Sequence, residues 1–167
     1  MRVKRITRMA LLTAIALTIF MVEARLPGLA PIPGVKLGLS NIVTVWALFA
    51  LGPADAGMIL LARILLGSLF AGHWMILIYS LSGGLLCYLV CLLARRVTTD
   101  RQIWVVSILG AMAHNVGQLL AATVITGTWS IWYYGPVLLL SGLLTGAFTG
   151  LAAQFLYRRL QAIRLLN

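Results

Sequence analysis

The chain has 167 residues, of which 62% are apolar and only 10% charged, with a mean hydropathy of +1.03 and a formal charge of +10. An ordinary soluble domain carries about 25% charged residues and has too little interior to hide this much apolar surface. Composition therefore excludes a soluble enzyme and a disordered chain. It excludes a nucleic-acid binder too, because the basic residues cluster between apolar runs rather than on a soluble face. What remains is a single all-α integral membrane domain over residues 1–167.

A membrane-spanning helix needs about 20 mostly apolar residues. Six spans are predicted, at about 9–26, 38–52, 55–72, 74–94, 103–127 and 135–157. The first follows a basic segment, Met1–Arg8, and resembles a signal peptide. Glu23 and Arg25 crowd the position where cleavage would fall, so the segment is expected to remain as a helix. The second is short, and Gly52-Pro53 separates it from the third, so it is either tilted or half of a tight hairpin. Gly72-His73 divides the third from the fourth with almost no loop, and the fourth is uncharged from Trp74 to Ala94.

Lysine and arginine asymmetry sets the orientation. One set of ends holds Arg2, Lys4, Arg5 and Arg8, then Arg95, Arg96 and Arg101, then Arg158, Arg159 and Arg164; the other holds only Arg25 and Lys36. Both termini are thus expected in the cytoplasm, with loops 26–37 and 127–135 outside. Trp74, Trp129, Trp132, Tyr133 and Tyr134 fall at the outer boundary, where amphipathic rings belong.

Small residues at four-residue spacing let helices approach closely in lipid. Gly142, Gly146 and Gly150 in the last span suit packing inside the fold, whereas Ala10 and Ala14 in the first suit either internal packing or docking onto another membrane subunit. Cys87 and Cys91 share a helix face at a spacing that points sulfurs poorly for a disulfide, so packing is expected of them.

Ionisable and polar groups at membrane depth are costly and point to function. Arg63 lies near the middle of the third span and needs a cavity, a ligand or a counter-charge such as Glu23. In the fifth span His114, Asn115 and Gln118 fall within about one turn, with Ser107 and Ala111 on the same face; they make either packing hydrogen bonds or the polar wall of a binding cavity. Asn41 opens the second span and can join them. The proline-stiffened loop before it, with Lys36, is either a lid or a plain connector. There is no phosphate-binding G-x-x-x-x-G-K-[ST] loop, and the three acids, Glu23, Asp55 and Asp100, are scattered, so neither ATP hydrolysis nor an aspartate-rich Mg²⁺ site is expected from this chain.

Several motifs together resemble the Gx transporter family, often labelled heptaprenyl diphosphate synthase component I. They are Pro33-Gly-Val-Lys-Leu-Gly-Leu-Ser-Asn41, Arg63 with Leu66-Gly-Ser68, Ser80-Leu-Ser-Gly-Gly-Leu85, Ala113-His-Asn-Val-Gly-Gln118, Tyr133-Tyr-Gly-Pro136 and Thr145-Gly146. The family is similar to the substrate-binding (S) components of energy-coupling factor (ECF) transporters. The resemblance implies a six-helix S-component fold in a bacterial plasma membrane, with an outward-facing pocket partly covered by the first loop. It also implies a transmembrane coupling subunit contacted through Ala10 and Ala14, and two cytosolic ATPases that supply energy. On this reading Lys36, Asn41, Arg63, His114, Asn115 and Gln118 contact a small ligand, Lys36 and Arg63 attract negative charge, and Trp132 and Tyr133 add an aromatic face. No cofactor or metal is expected, and no catalytic role. The alternative is a membrane accessory subunit of a polyprenyl diphosphate synthase, as the label says.

Overall fold

The computed structural model describes residues 2–25 and 38–162, and it is all-helical over them. The α-helices are α1 (Arg2–Glu23), α2 (Asn41–Ala50), α3 (Pro53–Ala71), α4 (Trp74–Val97), α5 (Ile103–Thr126) and α6 (Gly135–Ala162), with short 3₁₀ turns at Asp100–Gln102 and Trp129–Tyr134. Helix α1 begins inside the basic segment, several residues before the expected start of the span. Five helices, all except α2, are long and apolar enough to cross a bilayer, so the chain is a multi-pass membrane protein.

The second predicted span departs from expectation. Its helix has 10 residues, about 15 Å of rise against a hydrocarbon core of about 30 Å. Local backbone chemistry sets both limits. Gly38, at φ +77°, turns the chain just before α2, and at the other end the N–H groups of Leu51 and Gly52 both fall back on the Ala47 carbonyl. Pro53 then opens α3 at a position where its missing N–H costs nothing.

Contacts fix the relative directions of the helices. Arg5 of α1 holds Asp55 in the first turn of α3 through two donors. The Tyr88 hydroxyl of α4 donates to the Pro53 carbonyl at 2.7 Å. Arg95 near the end of α4 lies over the Phe49 ring near the end of α2, 5.4 Å from its centroid. Phe49 meets Tyr157 of α6 edge-on, and the Tyr157 hydroxyl donates to Asp100 before α5 at 3.1 Å. The start of α1 and the end of α6 therefore lie on the same side as Arg95, Arg96 and Arg101. Helix α2 runs from mid-depth to that basic end.

Glycines make the tightest helix pairs possible. A Cβ at Gly142, Gly146 or Gly150 of α6 would sit 2.6–2.9 Å from α5 atoms at Asn115, Ile108 and Trp104 respectively. The expected glycine row thus lies against the α5 backbone. Helices α4 and α5 meet as closely: a Cβ at Gly117 would lie 2.7 Å from the Ser82 carbonyl oxygen, and one at Gly110 would lie 2.5 Å from Cys91 Sγ. The buried cysteines are free thiols that fill the space this glycine leaves. The opposite face of α6, with Leu140, Leu144, Phe148, Leu151 and Phe155, is exposed and apolar, as lipid contact requires.

This asymmetry gives a direct test. Gly146→Leu, which forces a side chain into the α5 backbone, lowers stability by about 3 kcal/mol or prevents folding; Phe148→Leu on the lipid face leaves it nearly unchanged. Thermal unfolding of both variants in detergent checks this.

Candidate functional site

The centre of the site is Arg63, 2% exposed and ten residues into α3, or about 15 Å from its start. A guanidinium at this depth costs roughly 3 kcal/mol on insertion scales unless it finds partners. Helix α2 supplies them because it begins here: Nη1 donates to Ser40 Oγ at 2.7 Å and Nη2 to Asn41 Oδ1 at 3.3 Å. The Phe20 ring of α1 lies 5.7 Å from the guanidinium carbon, a cation–π arrangement. Glu23, one turn beyond Phe20 and 5% exposed, lies within electrostatic reach of Arg63. Its Oε1 accepts the Gly38 N–H at 2.5 Å.

Gly38 links this group to α5. A Cβ there would fall 2.8 Å from Asn41 Nδ2 and 2.9 Å from His114 Cδ2. The far side of the His114 ring rests on Gly83 of α4, where a Cβ would lie 2.9 Å from Nδ1. Arg63, Asn41, Glu23 and His114 thus converge from α3, α2, α1 and α5, on a backbone thinned by glycine where the rings and amides pass. Asn115 and Gln118 are each 1% exposed. Asn115 Nδ2 donates to the Leu138 carbonyl of α6 at 2.5 Å, so this amide also ties α5 to α6.

The other expected residues lie elsewhere. Ser107 turns toward α6 and hydrogen-bonds Thr149 at 3.1 Å, which separates it from the His114 group. Trp132 is half-buried against Leu119 and Leu138. Tyr133 is 86% exposed and is not brought to the cluster. Lys36 lies outside the described residues. Ala10 and Ala14 are exposed and line a shallow apolar groove of about 460 Å³ with Met58, Ala62 and Leu66 of α3.

Sequence reading did not single out Ser40, Phe20 or Gly38 as site residues. Two signals were available. Thr13, Ala16, Phe20 and Glu23 form a buried stripe at helical spacing, and Ser40-Asn41 before an apolar run is a helix-start pattern.

Two buried donors in the cluster, Arg63 Nε and Asn41 Nδ2, make no hydrogen bond among the described residues. A cation fixed by two of its nitrogens, with a third donor and an amide NH₂ left over, can receive an acceptor group from a ligand. An unsatisfied buried donor costs about 1–3 kcal/mol, so filling this site would be stabilising.

Gly38→Ala is expected to cost more than Gly72→Ala. Both glycines have positive φ, but only Gly38 has Asn41 and His114 against its open side. Backbone strain of about 1–3 kcal/mol is common to both; the excess at Gly38, read by thermal unfolding, measures how closely the turn is packed on the polar cluster.

No curated protein and no solved structure matches the chain. The family model described as heptaprenyl diphosphate synthase component I matches residues 12–156, most of the sequence and every described residue of the polar cluster. The chain therefore belongs to the heptaprenyl diphosphate synthase component I family.

Proposed function

We propose that the chain is the substrate-binding subunit of an ECF-type importer in a bacterial plasma membrane, an S-component bundle with both termini cytoplasmic. It captures a small ligand from the outer face. The buried Arg63 group carries this reading. A cation, amides and an imidazole converge at mid-depth beside the start of a half-length helix, an arrangement by which transporters hold polar ligands inside a bilayer. Asn41, Arg63, His114, Asn115 and Gln118 are its contacts, and Lys36 joins them in this reading. The basic end is cytoplasmic by the positive-inside rule.

The groove bearing Ala10 and Ala14 is the contact for a transmembrane coupling subunit, since small residues let a partner helix approach. Two cytosolic ATPases drive the cycle. The chain itself is not a catalyst: its two aspartates are engaged by Arg5 and Tyr157, on different helices.

The family description favours a second reading, an accessory membrane subunit of a heptaprenyl or polyprenyl diphosphate synthase. It requires co-purification with a soluble synthase chain, and prenyl chain elongation that depends on both.

Affinity purification from native membranes separates the two. The importer reading expects a coupling protein and two ATPases in the eluate, lost in Ala14→Phe while the variant still folds and inserts. Recovery of a prenyl-elongating partner instead overturns it.

A further inference from the structure

Two furrows follow the seam between α1 and α3, and they differ in charge. The one nearer the basic end, with Ala10, Ala14 and Ala62, is lined by no charged side chain. The second, of about 660 Å³, is lined by Leu17, Thr18, Met21 and Val22 of α1, by Phe70 of α3 and by Arg25 just past the end of α1. Phe70 is 67% exposed and Val22 58%, so large apolar side chains open onto it. The Thr18 hydroxyl donates to the Ala14 carbonyl at 2.9 Å, so its proton is already engaged. Apart from Arg25, the wall is suited to hydrocarbon.

Arg25 is exposed and has no ion-pair partner among the described residues. The carboxylate nearest to it in sequence, Glu23, is buried and accepts the Gly38 N–H. Arg25 lies eight residues beyond Leu17, and the helical hydrogen bonding carries on past Glu23 to Ala24. That is about 12 Å of rise, close to half of a hydrocarbon core of about 30 Å. The furrow is therefore one leaflet deep, and it ends at the membrane surface opposite the basic end in a single uncompensated cation.

This shape and charge fit an amphiphile with one negative charge. A second copy of the chain fits poorly. Copies insert in the same direction, and a two-fold contact through this furrow would set Arg25 against Arg25. We propose that the furrow is a site for one anionic phospholipid of the leaflet opposite the basic end. An acyl chain lies along Leu17, Met21 and Phe70, and the headgroup phosphate pairs with Arg25. The site is separate from the buried Arg63 group and does not depend on the importer reading.

The test uses the full chain in detergent with ¹³C-methyl methionine. The Met21 methyl, assigned by its loss in Met21→Leu, reports this furrow, and Met58 reports the uncharged one. The titrants are dioleoyl phosphatidylglycerol, dioleoyl phosphatidylcholine and glycerol 3-phosphate at matched ionic strength. Phosphatidylglycerol is expected to shift Met21 saturably, with a midpoint about fivefold below that of phosphatidylcholine, as one basic residue at an anionic surface gives. Met58 should show no such preference, and glycerol 3-phosphate, a headgroup without chains, should leave Met21 unmoved. Arg25→Gln should abolish the preference and Arg25→Lys retain it, both with unchanged thermal unfolding because the side chain is exposed. The proposal is overturned by the absence of a saturable Met21 shift, by equal midpoints for the two lipids, by a preference that survives Arg25→Gln or recurs at Met58, or by a shift with glycerol 3-phosphate alone. None of these readouts involves a coupling subunit or a synthase partner, so failure here is distinguishable from failure of the importer assignment.

Discussion

The burial of one guanidinium in the middle of a membrane bundle organises much of this structure. Arg63 cannot reach either interface from the centre of α3, and the hydrocarbon offers it nothing. The fold brings partners to it: α2 starts at mid-depth and presents Ser40 and Asn41, and α1 contributes Phe20 and Glu23. A full-length second helix would carry its polar first turn toward the interface opposite the basic end, away from Arg63. The short helix and the buried cation thus belong to one solution.

Glycine makes the surrounding bundle dense enough to hold that arrangement. Lipid tails are as apolar as the helix surfaces, so helices associate through close packing and hydrogen bonds rather than through expulsion of water. Helix α6 lies on α5 through Gly142, Gly146 and Gly150, and α4 meets α5 through Gly83 and Gly117. The same closeness allows side-chain-to-backbone hydrogen bonds across helices, Asn115 to Leu138 and Ser82 to Gly117. Between the polar group and the basic end, the bundle is filled by Val45, Leu48, Phe49, Ile59 and Val106. The molecule therefore has a polar centre over an apolar floor.

Several features were legible in the sequence because the bilayer imposes them on any chain. Apolar length marked the five long helices, proline and glycine marked their breaks, and the arginine clusters marked one common end. The importance of Arg63 was also legible, since a charge in an apolar run has few innocent explanations. His114 and Gln118 were recognised as buried polar groups for the same reason. The length of α2 was not legible. Its apolar run continues through Leu51, and although Ser40-Asn41 is a helix-start pattern, only the fold shows that this start lies at mid-depth, after a left-handed turn at Gly38.

The amino-acid sequence by itself determined that this chain resides in a membrane, where its long helices lie and which of their ends are basic, because burial of apolar surface and exclusion of charge act on each segment separately. Only the tertiary structure decided that Asn41 and Ser40 face Arg63, that Ser107 turns to Thr149 instead of joining His114, and that Tyr133 stays exposed. Those outcomes depend on the rotation and depth of one helix against another, set by where glycines permit contact across the bundle, and no single segment carries that information.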